Sequence, residues 1–128
     1  MEVIKKLENI KYVNESVVTI GSFDGIHIGH KKIIKKVLYY SIAQKTKSVL
    51  ITFEPHPRHV LDKSKDKLPL LMGIDEKLKI LKNLGLDFVY VVSFSRSFSK
   101  LSLKNFLKKF VIKPFKPKYI IVGMNHYF

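Results

Sequence analysis

The chain has 128 residues, a formal net charge of +14, 46% hydrophobic and 27% charged residues, and no cysteine. This composition excludes a disordered chain, and no stretch approaches the ~18 consecutive apolar residues of a membrane span. The lack of cysteine excludes disulfides, thiolate zinc sites and cysteine nucleophiles, and it suits a reducing compartment, so a cytoplasmic location is expected.

The length fits one domain over residues 1–128. Residues 1–11 carry charges throughout and show no apolar core of a secretory signal. Residues 16–22 read as a buried strand bounded by glycine. Residues 29–45 read as a helix with Ile33, Ile34, Val37, Leu38 and Ile42 on an apolar stripe. A second strand over 48–53 stops at Pro55 and Pro57. Residues 58–70 read as a loop with room for a helical turn. Residues 74–84 read as a short helix with Ile74, Leu78 and Leu81 on one side, ended by Gly85. A third strand lies within 87–94. A helix over 102–111 takes Ser102 as its cap, and a fourth strand follows over 119–123 after Pro114 and Pro117.

Alternating strands and helices predict a Rossmann-like α/β fold, a parallel sheet with right-handed crossovers and flanking helices. The strands are nearly continuous apolar runs, as sheets covered on both faces require. Ligands of such sheets bind beyond the carboxyl ends of the strands, where the strand order reverses. The polar motifs fall at those ends.

The first motif is Gly21-Ser-Phe-Asp-Gly-Ile-His-Ile-Gly-His30, running from the first predicted strand into the first long helix. Gly21 and Gly25 permit a tight turn. The helix start offers free N–H groups and a partial positive charge to a phosphate. His27 and His30 share a face if the first turn is helical, and two imidazoles there can donate to phosphate oxygens. Gly29 leaves space for a nucleotide. Two histidines without cysteine make a poor zinc set, so no metal site is expected. The second motif, Ile51-Thr-Phe-Glu-Pro-His-Pro57, ends the second strand. Its prolines stiffen the exit loop. Phe53 either packs beside a ring ligand or plugs the core. Glu54 and His56 form either an acid–base pair or a loop-stabilising hydrogen bond. Asn125, after the fourth strand, either binds a ligand through its amide or forms a turn.

The first motif resembles the H-x-G-H signature of nucleotidylyltransferases, in the form G-x-F-D-G-x-H-x-G-H carried by bacterial FAD synthetases. Residues 52–57 resemble the T-F-E-P-H-P segment of the same family. Glu76-Lys77 with Leu81, Leu84, Gly85 and Asp87 resembles its E-K-x-x-x-L-x-x-L-G-x-D stretch, whose positions read as packing. Phe94, Phe98, Leu101 and Phe106 resemble its F-x-x-x-F-x-x-L-x-x-x-x-F stretch, and Val122-Gly-Met-Asn-His-Tyr-Phe128 its V-G-x-[DN]-x-x-F-G segment.

The resemblance implies transfer of AMP from ATP to FMN, giving FAD and pyrophosphate. It makes His27 and His30 the catalytic pair, with Gly21, Ser22, Phe23, Asp24 and Gly29 at the nucleotide. Phe53, Glu54, Pro55, His56, Pro57 and Asn125 then fall at the flavin, and magnesium arrives on the triphosphate. It also implies that the family continues past Phe128 with a further strand and helix, an S-S/T-x-x-R segment and a riboflavin kinase module. On that expectation, residues 1–128 are an incomplete FMN adenylyltransferase domain. The alternatives are another nucleotidylyltransferase, or a nucleotide-binding chain without activity.

The +14 charge points either to a polyanionic partner or to solvated lysine faces. Lysines spread from Lys5 to Lys118, and Lys31, Lys32, Lys35 and Lys36 fall where a helix faces water. Tyr39, Tyr40, Tyr90 and Tyr119 lie on elements expected to be buried, so neither a nucleic-acid nor a membrane partner is expected.

Overall fold

The structure, a computed structural model, describes residues 1–10, 13–26, 28–61 and 73–123. Its strands are β1 (Glu2–Ile4), β2 (Ser16–Ile20), β3 (Lys47–Glu54), β4 (Phe88–Ser93) and β5 (Pro117–Ile121). Its helices are α1 (Ile28–Ala43), α2 (Pro57–Leu61), α3 (Ile74–Leu84), α4 (Arg96–Ser99), α5 (Leu103–Phe106) and α6 (Lys113–Phe115). A 3-10 turn spans Leu7–Asn9, and a π-helical stretch over Leu107–Ile112 joins α5 to α6.

All strand pairs are parallel, in the order β1-β4-β3-β2-β5. From β2 the chain steps outward to β3 and then β4. It then crosses back to place β5 on the other side of β2. The order therefore reverses between β2 and β5, and a crevice opens there at the carboxyl edge.

The period-two alternation of each strand divides the core in two. Val17, Leu50, Val89 and Val91 face α1 and α3, where Ile34, Val37 and Leu81 meet them. Val18, Ile20, Val49, Ile51, Phe53, Tyr90 and Val92 face the opposite side, against Phe106, Val111 and Phe115. Both faces of β2–β4 are covered, which accounts for their unbroken apolar runs.

Several details depart from the sequence reading. The sheet has a fifth strand, β1, whose three residues are too few to show a pattern; Glu2 N–H donates to the Asp87 carbonyl at 2.9 Å. Ile42 is 76% exposed, and Ser41 takes the buried place instead. The inward spacing is 34, 37, 41, which puts 42 on the outer side of the helix. The helix capped by Ser102, whose Oγ accepts from Asn105 N–H at 3.1 Å, changes register after Phe106. Pro114 has no N–H for the carbonyl four residues before it, and the wider π register accommodates the gap. Residues 58–70, read as a loop, begin inside α2, and 62–72 lie outside the described residues.

The amino edge is stapled by one carboxylate. Asp87 Oδ2 accepts from Ser48 N–H at 2.8 Å and Ser48 Oγ at 3.1 Å, while Ser48 Oγ accepts from Asp87 N–H at 2.9 Å.

Tyr90 is 3% exposed, and burial, with a smaller push from the Glu8 carboxylate, raises its phenol from 10.0 to about 12. A raised folded pKa favours the neutral phenol, so this contribution is present below pH 10 and is lost as pH rises through 12. Urea denaturation is expected to show wild-type stability falling by about 2 kcal/mol more than that of Tyr90→Phe between pH 10 and 12. Parallel curves for the two proteins would remove Tyr90 as the cause.

Candidate active site

The crevice is bordered by the loop after β2. Gly21 N–H donates to the Ile51 carbonyl at 2.9 Å, so pairing with β3 continues one residue past β2. The loop then turns through three positive-φ residues: Phe23 at 50°, Gly25 at 76° and Ile26 at 20°. Such angles suit Gly25 and strain the other two. Burial supports the strained positions: Phe23 is 1% and Ile26 is 6% exposed, both in the core beneath α1. The Phe23 ring stands edge-on to the His30 ring at 5.2 Å. His30 sits in the first turn of α1, half-buried, with Gly29 before it. The strained turn thus gives the imidazole a fixed wall beside the helix start.

Gly123 follows β5 on the far side of the crevice. A Cβ there would stand 2.6 Å from Ile33 Cδ1 of α1, so a side chain at 123 requires the Ile33 methyl to move. Glycine at 123 therefore lets the chain leaving β5 pass close to α1. His27 and Asn125, expected on its two lips, lie outside the described residues.

The structure adds a residue that the sequence reading set among packing positions. Lys77 of α3 is 4% exposed, and among the described residues no other charged side chain is buried. Its Nζ donates to the Ser22 carbonyl at 2.7 Å and to Thr52 Oγ1 at 3.3 Å. Thr52 Oγ1 in turn donates to the Ser22 carbonyl at 3.0 Å. Burial lowers the Lys77 pKa, opposed by the fields of Glu54 and, less, Asp24. One signal in the sequence marks it: positions 74, 77, 78 and 81 form the inward stripe of α3, and a lysine stands at the second of them.

Ser22, Thr52, Lys77, Asp24 and Glu54 therefore form one polar group at the carboxyl edge. Phe53 points the other way. It is 2% exposed and packs with Phe94, Phe98 and Phe106 at ring separations of 5.9, 6.2 and 6.2 Å. It plugs the core, and it also lines a cavity of about 250 Å³ beyond β3 and β4 with Leu61, Leu101 and Leu103. Glu54, His56 and Pro57 are half-buried and Pro55 is exposed. The Glu54 carbonyl accepts from Phe94 N–H at 3.1 Å, and Pro57 opens α2. Among the described residues no three His, Asp or Glu side chains converge on a metal position.

The tyrosines need correction. Tyr90 is buried, but Tyr39, Tyr40 and Tyr119 are 68, 41 and 44% exposed. Residues 39 and 40 fall on the outer face of α1, and β5 is an edge strand, so neither element buries its tyrosines. Tyr40 contacts both Tyr39 and Tyr119 at 5.4 Å. Lys31, Lys32, Lys35 and Lys36 are exposed as expected. Among the described residues no helix is long and apolar enough to cross a membrane.

A parallel sheet that reverses order beside a strand–loop–helix turn defines a Rossmann-like α/β domain, a class in which ligands bind at the switch point. A family model for FAD synthetase matches residues 9–128. The chain belongs to the FAD synthetase family. It is 36% identical to the bifunctional riboflavin kinase/FMN adenylyltransferase of Buchnera aphidicola subsp. Schizaphis graminum, over 96% of this chain and 39% of the relative. It is 31% identical to the protein of that name from Escherichia coli K12, over 96% and 40%. The chain thus spans about two fifths of the length of these relatives. A crystal structure of a protein named macrolide-efflux protein, from Streptococcus pneumoniae, superimposes with a TM-score of 0.84 at 28% identity, covering 98% of this chain and 48% of that one.

Proposed function

We propose that this chain carries the FMN adenylyltransferase site of a bifunctional flavin enzyme. An FMN phosphate oxygen attacks the α-phosphorus of ATP in line. The new P–O bond joins FMN to AMP as FAD, and the bond to the β-phosphate oxygen breaks to release pyrophosphate. The observation that carries the reading is the strained 21–26 turn, set against the start of α1 at the switch point. On this reading the helix start and His30 stabilise charge on the phosphate oxygens, and His27 is assigned the same role. Gly21, Ser22, Phe23, Asp24 and Gly29 shape the nucleotide side. Magnesium carried in on the triphosphate would offset part of its negative charge.

The flavin side is assigned to residues 53–57 and Asn125. The phenylalanine-lined cavity supports this reading. At about 250 Å³ it falls just below the ~300 Å³ lower end of small-molecule sites, so it takes the edge of a ring system. A cytoplasmic location and a riboflavin kinase module in the same protein belong to the proposal.

The test pairs two titrations of the folded chain. ATP with magnesium is expected to shift amides of residues 21–30, and FMN fluorescence is expected to quench with little competition from pantetheine phosphate or nicotinate mononucleotide. Equal preference among the three acceptors would favour another nucleotidylyltransferase. The exposed tyrosines beside lysine-rich α1 favour a second reading, polyanion binding. Oligonucleotide affinity that falls steeply with salt would support it.

A further inference from the structure

We propose that Lys77 is a positioning residue for adenylyl transfer: its amine, buried beneath the carboxyl edge of β2 and β3, holds the Ser22 carbonyl and through it the turn that seats His30. The inference rests on the adenylyl-transfer reading above for its consequence and on geometry alone for its mechanism.

Lys77 lies one turn before Leu81, and the two share the buried face of α3. Met there would fill a similar volume without removing a charge from water. A buried amine is stabilising only where polar partners meet it, and replacing buried charge by apolar residues of similar volume is often neutral or favourable. The partners here are specific. The Ser22 carbonyl accepts from both Nζ and Thr52 Oγ1, and Thr52 Oγ1 accepts from Nζ, so three atoms from α3, β3 and the loop close a triangle. Ser22 immediately precedes Phe23, whose backbone is left-handed at φ 50° and whose ring walls His30. A left-handed phenylalanine persists only where its surroundings over-determine it. Fixing the carbonyl before it is one such constraint, and Lys77 supplies it together with Thr52 of β3.

The amine also balances charge. Asp24 and Glu54 direct their fields at Lys77 from the loop and from the end of β3. Without it, the edge where a polyphosphate must bind keeps both carboxylates and loses a cation that offsets them. Thr52 alone can keep the Ser22 carbonyl hydrogen-bonded, so loss of the amine is expected to loosen the turn and weaken the anion site without unfolding the domain.

The test compares wild type, Lys77→Met, Lys77→Arg, and Lys77→Cys alkylated in denaturant with 2-bromoethylamine and refolded. The chain has no cysteine, so alkylation at thiol is confined to position 77 and restores an amine of lysine length. Lys77→Met is expected to keep or raise Tm while shifting the amides of residues 22–24 and the His30 ring resonances, and to weaken ATP–magnesium binding about tenfold. FAD formation is read after fusing the chain to the remaining segment of the Buchnera relative, with any cysteine of that segment replaced by serine so that alkylation stays confined to position 77. There kcat is expected to fall 10- to 100-fold with the KM for FMN held, the scale of a roughly 1 Å misplacement. The alkylated protein is expected to recover the resonance positions, the ATP affinity and kcat, and Lys77→Arg none of the three. Unmoved His30 resonances in Lys77→Met overturn the positioning role, whether or not the fusion is active. If Lys77→Met does not fold, equal turnover of Lys77→Arg and the alkylated protein overturns it. A wild-type fusion that makes no FAD, with the resonance shifts present, defeats the adenylyl-transfer reading and leaves the positioning role standing.

Discussion

Replacing His30 with alanine is expected to lower FAD formation by roughly 10² to 10³, the size of effect seen when one donor to a developing oxyanion is removed. His30 occupies the first turn of α1 and is set edge-on to a phenylalanine held in a left-handed turn. A donor fixed in this way needs no reorganisation when charge builds on the α-phosphate. Affinity for ATP should fall far less, because an interaction strongest in the transition state shows in kcat more than in ground-state binding. Turnover is measured by chromatography of FAD from FMN, ATP and magnesium in the Buchnera fusion, and ATP affinity by calorimetry on the chain itself. Undiminished turnover in His30→Ala would take the residue out of the mechanism.

Phe115→Ala is expected to cost about 3 to 5 kcal/mol of folding stability. The Phe115 side chain is fully buried and its ring lies 6.0 Å from that of Tyr90. Its carbonyl accepts from the buried Ser16 Oγ at 2.6 Å, which ties the end of α6 to the first residue of β2. Lys116 next to it is left-handed at φ 45° and turns the chain into β5. Truncation therefore opens a cavity under the sheet and frees the residue that aims the edge strand. Against a typical 5 to 15 kcal/mol the loss is large. Phe115→Leu, at roughly 1.5 kcal/mol or less, keeps a folded sample for comparison. Urea denaturation measures both, and a loss under 1 kcal/mol for Phe115→Ala would show that the site collapses around the missing ring.

The pattern of apolar residues carried the parallel sheet, because β2, β3 and β4 are buried on both faces and read as unbroken runs. It carried α3 to its ends, since Gly85 at φ 96° is a glycine the backbone needs. It failed where an element is short or one-sided. β1 has three residues and no period. β5 is half-covered, so an apolar run there does not mean burial, and Tyr119 stands in solvent. At the site, the motif located the loop but not what holds it. Lys77 sits 55 residues from Ser22 in sequence, and only the parallel sheet brings them together. Phe53 and Glu54 are neighbours in one motif, yet strand alternation sends the Phe53 ring to the face opposite Lys77 and the loop.

The strand order sets a timetable for synthesis. β2 is interior in the finished sheet, but one of its neighbours, β5, begins about a hundred residues later; the bond from Ser16 to Phe115 already spans 99 positions. At 5 to 20 residues per second, β2 emerges from the ribosome about 5 to 20 s before β5. During that interval β3 and β4 can add to one side of β2 while the other stays bare. A nascent chain in that state offers Val17, Val18 and Ile20 beside unpaired backbone groups, the kind of edge that captures other chains. Its exposure ends when β5 docks. The same docking brings Gly123 against Ile33, so the far side of the crevice forms only after β5 is made.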